Sequence, residues 1–123
     1  MLAIGVDIVA ISRMQETLQR SESVFIDRVF TGKEKENSLQ HCDAAVYYSE
    51  IFAVKEAVFK TFCTEWKRDM SFLDIEILKG SCGEPTVNLK GAFLQLLLQK
   101  NAEAIVATLS WEQDSVVVFA VMH

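Results

Sequence analysis

The sequence predicts an α+β fold: a mostly antiparallel sheet of about five strands packed on one long helix, in a single domain over residues 1–123. Segments that alternate in polarity stand at both ends of the chain, the mark of half-buried strands. Between them Ala44 to Phe62 is apolar almost all the way round, as a helix buried on most sides must be. Five glycines and a single proline leave nothing that marks a linker between domains, and no internal repeat is present.

Each element follows from local pattern. In Leu2 to Val9, Leu2, Ile4, Val6 and Ile8 share one face; Ala3, Gly5, Asp7 and Val9 share the other. Ser12 is positioned to cap a helix to about Arg20, and a second short helix covers Val24 to Phe30. Thr31 and Glu34 have the spacing of a capping box, which opens a charged helix to about Leu39. His41-Cys42-Asp43 reads as a loop whose aspartate caps the long helix. Phe72 to Leu78 alternates as a strand, Ser81 to Glu84 is a turn, and Pro85 to Leu89 is a short strand. Lys90 to Lys100 has helical spacing, and the β-branched runs Ala104–Ser110 and Ser115–Met122 form a hairpin across Glu112-Gln113-Asp114.

Composition excludes several classes. Twelve basic against 17 acidic residues give a net charge of −5, without the concentrated positive face of a nonspecific nucleic-acid binder. No apolar run reaches the ~18–20 residues that span a bilayer. The opening MLAIGVDIVA has no basic leader or cleavage pattern, so a cytoplasmic protein is expected. Cys42, Cys63 and Cys82 are scattered and odd in number, which suits reduced thiols rather than a disulfide framework or a zinc site.

The chemistry concentrates on the long helix and the first strand. Ser49, Glu56 and Lys60 fall on one narrow polar stripe of the helix. An i,i+4 Glu–Lys pair of ~0.3–0.5 kcal/mol is the commoner meaning of such spacing. Asp7 adds a second carboxylate, in a hydrophobic strand. A strand Asp facing a helix Glu, with a Lys one turn beyond, can hold Mg²⁺ and a phosphate, because Mg²⁺ takes one or two protein carboxylates and fills its shell with water and phosphate oxygens. On spacing alone both readings stand.

Ile4-Gly5-Val6-Asp7-Ile8-Val9 with Arg13 resembles the G-x-D-I-V opening of the holo-acyl-carrier-protein synthases, a 4′-phosphopantetheinyl transferase family. Phe52-Ala53-Val54-Lys55-Glu56-Ala57, then Lys60, resembles that family's F-A-x-K-E-A-x-x-K signature, and Gly83-Glu84-Pro85 its G-x-P turn. The likeness extends in order over essentially the whole chain. It implies the 4′-phosphopantetheinyl transferase fold and transfer of phosphopantetheine from coenzyme A to a serine of an apo acyl carrier protein of fatty-acid or polyketide synthesis, releasing 3′,5′-ADP. It further implies Mg²⁺ on Asp7 and Glu56, with Glu56 also a candidate proton acceptor, and Lys60 neutralising the pyrophosphate. Gly83, Pro85, Thr108, Ser110 and Trp111 match positions near the nucleotide. A homotrimer with active sites between subunits is implied, as is an acidic carrier met by the helix after the first strand through Arg13, Met14 and Arg20. From Ile11 to Lys35 there are five basic and four acidic residues, the least acidic part of the chain.

The chain departs from the family pattern where phosphate would be gripped. Ile51 stands for an arginine, Cys63-Thr64-Glu65 for a G-T-G loop, Glu84 for a frequent lysine, and Trp111 for the histidine that often ends S-x-S-H. These changes predict weaker coenzyme A binding than the family norm, most visible at high salt. They also keep a second reading open, a trimeric binding relic that retains the fold without turnover.

Overall fold

The computed structural model describes residues 2–123, with the side chains of residues 21 and 22 set aside. The order is β1 (Ala3–Ala10), α1 (Ile11–Val29), α2 (Gly32–Ser38), α3 (Ala44–Thr61), a 3₁₀ turn (Phe72–Asp74), β2 (Ile75–Lys79), β3 (Pro85–Leu89), α4 (Gly91–Gln99), β4 (Ile105–Glu112) and β5 (Ser115–Met122). The strands form one five-stranded antiparallel sheet in the order β1-β5-β4-β3-β2. That is the expected α+β architecture, with α3 as the long helix against the sheet.

Helix α3 sits on the face of β1 that carries small residues. At Gly5 a Cβ would lie 2.0 Å from the carbonyl oxygen of Ala57, so glycine is what lets strand and helix backbones approach this closely. Val116, Val118, Ala120 and Met122 of β5 complete this buried layer, while Ile4, Val6 and Ile8 of β1 and Phe119 of β5 point the other way and are exposed. The strongly apolar row of β1 is therefore the open one, and the row with the carboxylate is covered.

Lys55 lies at the centre of the packing, fully buried. Its ammonium pairs with buried Glu34 at 2.9 Å and donates to the carbonyls of Phe72 and Ile75, both at 2.7 Å. Glu34 in turn accepts from the backbone N–H of Thr31 (2.8 Å) and Ile77 (2.7 Å). One ion pair thus ties α2, α3, the 3₁₀ turn and β2 together. Burial pushes the Glu34 carboxyl up and the Lys55 ammonium down, and each charge is offset chiefly by the other.

The expected capping box is present: the Thr31 hydroxyl accepts from Glu34 N–H while the Glu34 carboxylate accepts from Thr31 N–H. Asp43 caps α3 through the N–H groups of Ala45 and Val46. Three expectations are corrected. The two helices expected over 12–20 and 24–30 are one continuous α1, because the serine-rich stretch 21–23 contains no glycine or proline to break it. Ser12 does not cap that helix; Asp114, in the turn after β4, accepts from the Ser12 N–H at 3.1 Å and from its hydroxyl. Phe72 to Asp74 is a 3₁₀ turn rather than strand, since the Ser71 hydroxyl accepts from Leu73 N–H and draws the chain into a turn.

Cys63, just beyond α3, has φ 54°, in the left-handed region glycine enters most easily. Thermal or urea denaturation checks both glycine arguments: Gly5→Ala should destabilise by at least about 3 kcal/mol, because a backbone carbonyl blocks the new methyl. Cys63→Gly should instead gain about 1 kcal/mol.

Candidate active site

Asp7 sits on the α3-covered face of β1, opposite Val118, with Gly5 and Val9 as its row neighbours. The Gly5 contact holds β1 close enough to α3 for side chains one turn apart on the helix to reach it. Lys60 does so: its Nζ donates to Asp7 Oδ1 and to the Val6 carbonyl, each at 2.9 Å. The pair Lys60 makes is therefore across the strand–helix junction, with Asp7, rather than along α3 with Glu56. Ser49, expected on the same stripe, is buried and turns its hydroxyl back to the Ala45 carbonyl.

Glu56 completes the group. Asp7, Ile8, Val9, Ala10, Arg13, Phe52 and Glu56 line one cavity of about 230 Å³. Burial pushes the Glu56 carboxyl above its usual range, the negative charge of Asp7 adds to the rise, and Lys60 partly offsets it. A carboxylate raised by burial and by a neighbouring carboxylate is a donor whose charge a small hard cation would relieve. Asp7 and Glu56 are the two carboxylates lining this cavity, and one or two protein carboxylates are what Mg²⁺ takes.

The other residues singled out by sequence do not converge here within one chain. Gly83 and Pro85 lie at the turn between β2 and β3, and β2 is the sheet edge opposite β1. Thr108 and Ser110 on β4 point to the open face, in the rows of Phe119 and Val117. Trp111 is exposed on the other face, in the row of Val116. Arg13 is exposed at the cavity wall, and Arg20 is exposed beside Glu16 at 3.7 Å. Met14 is corrected: at 4% exposure it belongs to the core, so its side chain offers no surface to a carrier. At the departures, Ile51 is buried in the core, and Glu84 folds back so that its carboxylate accepts from Cys82 N–H at 3.0 Å.

Two residues of this region carried no assigned role in the sequence reading. Phe52 forms a wall of the cavity, and Lys55 orients the helix that carries Glu56. The signal for Lys55 was available, since a lysine on a helix apolar all round must be buried and paired.

The fold and the site define a class. Residues 3–117 match the family model of the 4′-phosphopantetheinyl transferase superfamily. The chain is 41% identical over 111 residues to a holo-[acyl-carrier-protein] synthase of Aquifex aeolicus, covering 90% of this chain and 89% of that one. Its structure superposes on the holo-[acyl-carrier-protein] synthase of Neisseria meningitidis with a TM-score of 0.90 at 27% identity, covering 100% and 98% of the two chains. It also superposes on the Helicobacter pylori enzyme in complex with coenzyme A, with a TM-score of 0.83 at 26% identity over 98% and 99%. The chain belongs to the 4′-phosphopantetheinyl transferase superfamily, and within it to the holo-acyl-carrier-protein synthases, a family of enzymes.

The raised Glu56 carboxyl has a measurable consequence. A carboxyl raised in the fold favours folding when protonated, so its contribution is complete below the ordinary 4.5 and is lost as pH rises through the raised value. Glu56→Gln stays neutral throughout. In metal-free buffer it should melt above the wild type at about pH 8, and the gap should close towards about pH 4. A gap independent of pH would contradict the assignment.

Proposed function

We propose that this enzyme transfers 4′-phosphopantetheine from coenzyme A to a serine of an acidic apo acyl carrier protein, releasing 3′,5′-ADP, in a Mg²⁺-dependent reaction. The observation that carries the reading is the convergence of Asp7, Glu56 and Lys60 at one strand–helix junction, in a chain of this family. The coenzyme A bound in the Helicobacter pylori relative supports coenzyme A as the donor here.

Asp7 and Glu56 are the residues that would hold Mg²⁺, whose chemistry when bound is to neutralise pyrophosphate oxygens. The rest falls to the chain's own groups. The carrier serine oxygen attacks the phosphorus that bears pantetheine, and the bond from that phosphorus to the bridging oxygen breaks. Glu56, with its carboxyl raised, is suited to accept the serine proton. Lys60 holds a positive charge at the cleft through its contacts with Asp7 and Val6, where it stabilises the departing 3′,5′-ADP. Arg13 on the cavity wall and Arg20 further along α1 present cations to the acidic carrier.

The working unit in this proposal is a homotrimer. Leu2, Ile4, Val6 and Ile8, with Val106 and Phe119, leave an apolar sheet face exposed, at 42–64% for each residue. A contiguous face of this kind is what a second copy of the chain covers. Thr108 and Ser110 lie on that face, and the Gly83–Pro85 turn is at the edge remote from Asp7, so a neighbouring copy is the route by which they reach a nucleotide. The missing arginine at Ile51 and the charge of Glu65 weaken the grip on coenzyme A but leave the two carboxylates and Lys60 in place.

Intact-mass measurement of an apo acyl carrier protein, incubated with the enzyme, coenzyme A and Mg²⁺, tests the reading. The carrier should gain one phosphopantetheine, and the rate should fall by at least about a hundredfold with Glu56→Gln, the usual scale for a positioned acid–base group. No gain with any carrier, while carrier binding persists, would favour the non-catalytic relic.

A further inference from the structure

Helix α1 starts without a cap of its own. Ala10, the residue before it, has no side chain to accept from the first turn, and that turn contains no acidic residue. The first backbone N–H groups of a helix have no partner within it, so a group outside must supply one. Here it comes from the far end of the chain. Glu112 pairs with Ser115, so Gln113 and Asp114 form a two-residue turn between β4 and β5, with Gln113 at φ 53°. The Asp114 carbonyl accepts from Ile11 N–H at 2.7 Å. Its carboxylate accepts from Ser12 N–H at 3.1 Å and from the Ser12 hydroxyl. A turn this short leaves the carboxylate little room to swing away.

The turn capped in this way is the one that carries Arg13. A cation in the first turn lies at the positive end of the helix dipole, where it is disfavoured. Arg13 is nonetheless there, exposed, on the wall of the Asp7–Glu56 cavity. From Met14 onward α1 is held by burial, with Ile26 and Val29 in the core at its far end. Ahead of Met14 the bonds to Asp114 tie the turn down, and the carboxylate offsets the unfavourable charge at the helix end.

We propose that Asp114 is a positioning residue for carrier docking: by closing the first turn of α1 it holds Arg13 at the cavity wall before the carrier arrives. The inference rests on the carrier role given to Arg13 above. A cation on an ordered turn loses less freedom on binding than one on a frayed turn, so Asp114 adds affinity without touching the carrier. Its own charge would repel an acidic partner. Its place at the docking edge is therefore explained by the cap and not by contact.

Two readouts test this role. Fluorescence anisotropy of a labelled apo acyl carrier protein gives the carrier Kd, and steady-state rates give kcat and the KM for carrier and for coenzyme A. Both are measured for the wild type, Asp114→Ala, Asp114→Asn, Arg13→Ala and Arg13→Ala/Asp114→Ala. Asp114→Ala should raise the carrier Kd and KM about fivefold, the scale of one lost helix cap, with kcat and the coenzyme A KM unchanged. Asp114→Asn still offers an acceptor oxygen and should stay within about twofold of the wild type. The double variant should bind no more weakly than Arg13→Ala alone, because the cap acts through that side chain. If Asp114→Ala folds poorly, Ser12→Ala, which drops only the hydroxyl bond, should show the same pattern on a smaller scale. An Asp114→Ala variant that binds the carrier as the wild type does would overturn the inference. So would losses that multiply in the double variant, or a coenzyme A KM that rises as much as the carrier KM. A wild type that binds the carrier but transfers nothing would count against the transferase reading alone, and anisotropy would still decide the role of Asp114. A wild type that binds no carrier would overturn both.

Discussion

The buried pair of Lys55 and Glu34 is the constraint on which the rest of the molecule depends. An ammonium group has three protons, and here all three are placed: on the Glu34 carboxylate and on the Phe72 and Ile75 carbonyls. The carboxylate is filled from the other side by the Thr31 and Ile77 N–H groups. Such a cluster tolerates little rotation of α3 about its axis. Because Glu56 follows Lys55 by 100° around the helix, the same contacts that bury Lys55 set the direction in which Glu56 points.

Rotation is one coordinate of the site and separation is the other. Gly5 sets the separation by letting β1 lie against the carbonyl of Ala57. With both set, Lys60 spans from the last turn of α3 to Asp7, and Glu56 shares a cavity with it. The cost of this arrangement is visible in Glu56 itself, whose carboxyl is raised by burial and by Asp7. A chain selected for stability alone would not place two carboxylates together at a covered junction. In the proposed function the same two carboxylates would hold a cation and one of them would accept a proton, which accounts for the placement.

Much of this was legible in the sequence because it is periodic or local. The alternation of β1 and β5, the apolar breadth of α3 and the Thr31–Glu34 capping box each depend on neighbours within a few residues. The sequence singled out Asp7, Glu56 and Lys60, and the structure brings them to one strand–helix junction where Lys60 reaches Asp7. What was not legible depends on distant partners. Asp114 meets the start of α1 from 102 residues away, so Ser12 looked like a cap. Met14 is one residue from an exposed arginine, yet it is turned into the core. Alternation over Phe72–Leu78 does not register that the Ser71 hydroxyl starts a 3₁₀ turn. Nor does alternation alone say which face of β1 the helix covers: the row of Leu2, Ile4, Val6 and Ile8 is the exposed one.

A double-mutant cycle on the buried pair tests the central claim most directly. Urea denaturation at about pH 7 would give the stability of the wild type, Glu34→Gln, Lys55→Met and the double variant. Each single change leaves one charge buried without its partner and should cost about 3–5 kcal/mol, whereas the double variant should cost far less than the sum. Costs that simply add, or a Lys55→Met variant as stable as the wild type, would show that the pair does not hold α3 in place and that the account of how Glu56 is aimed is wrong.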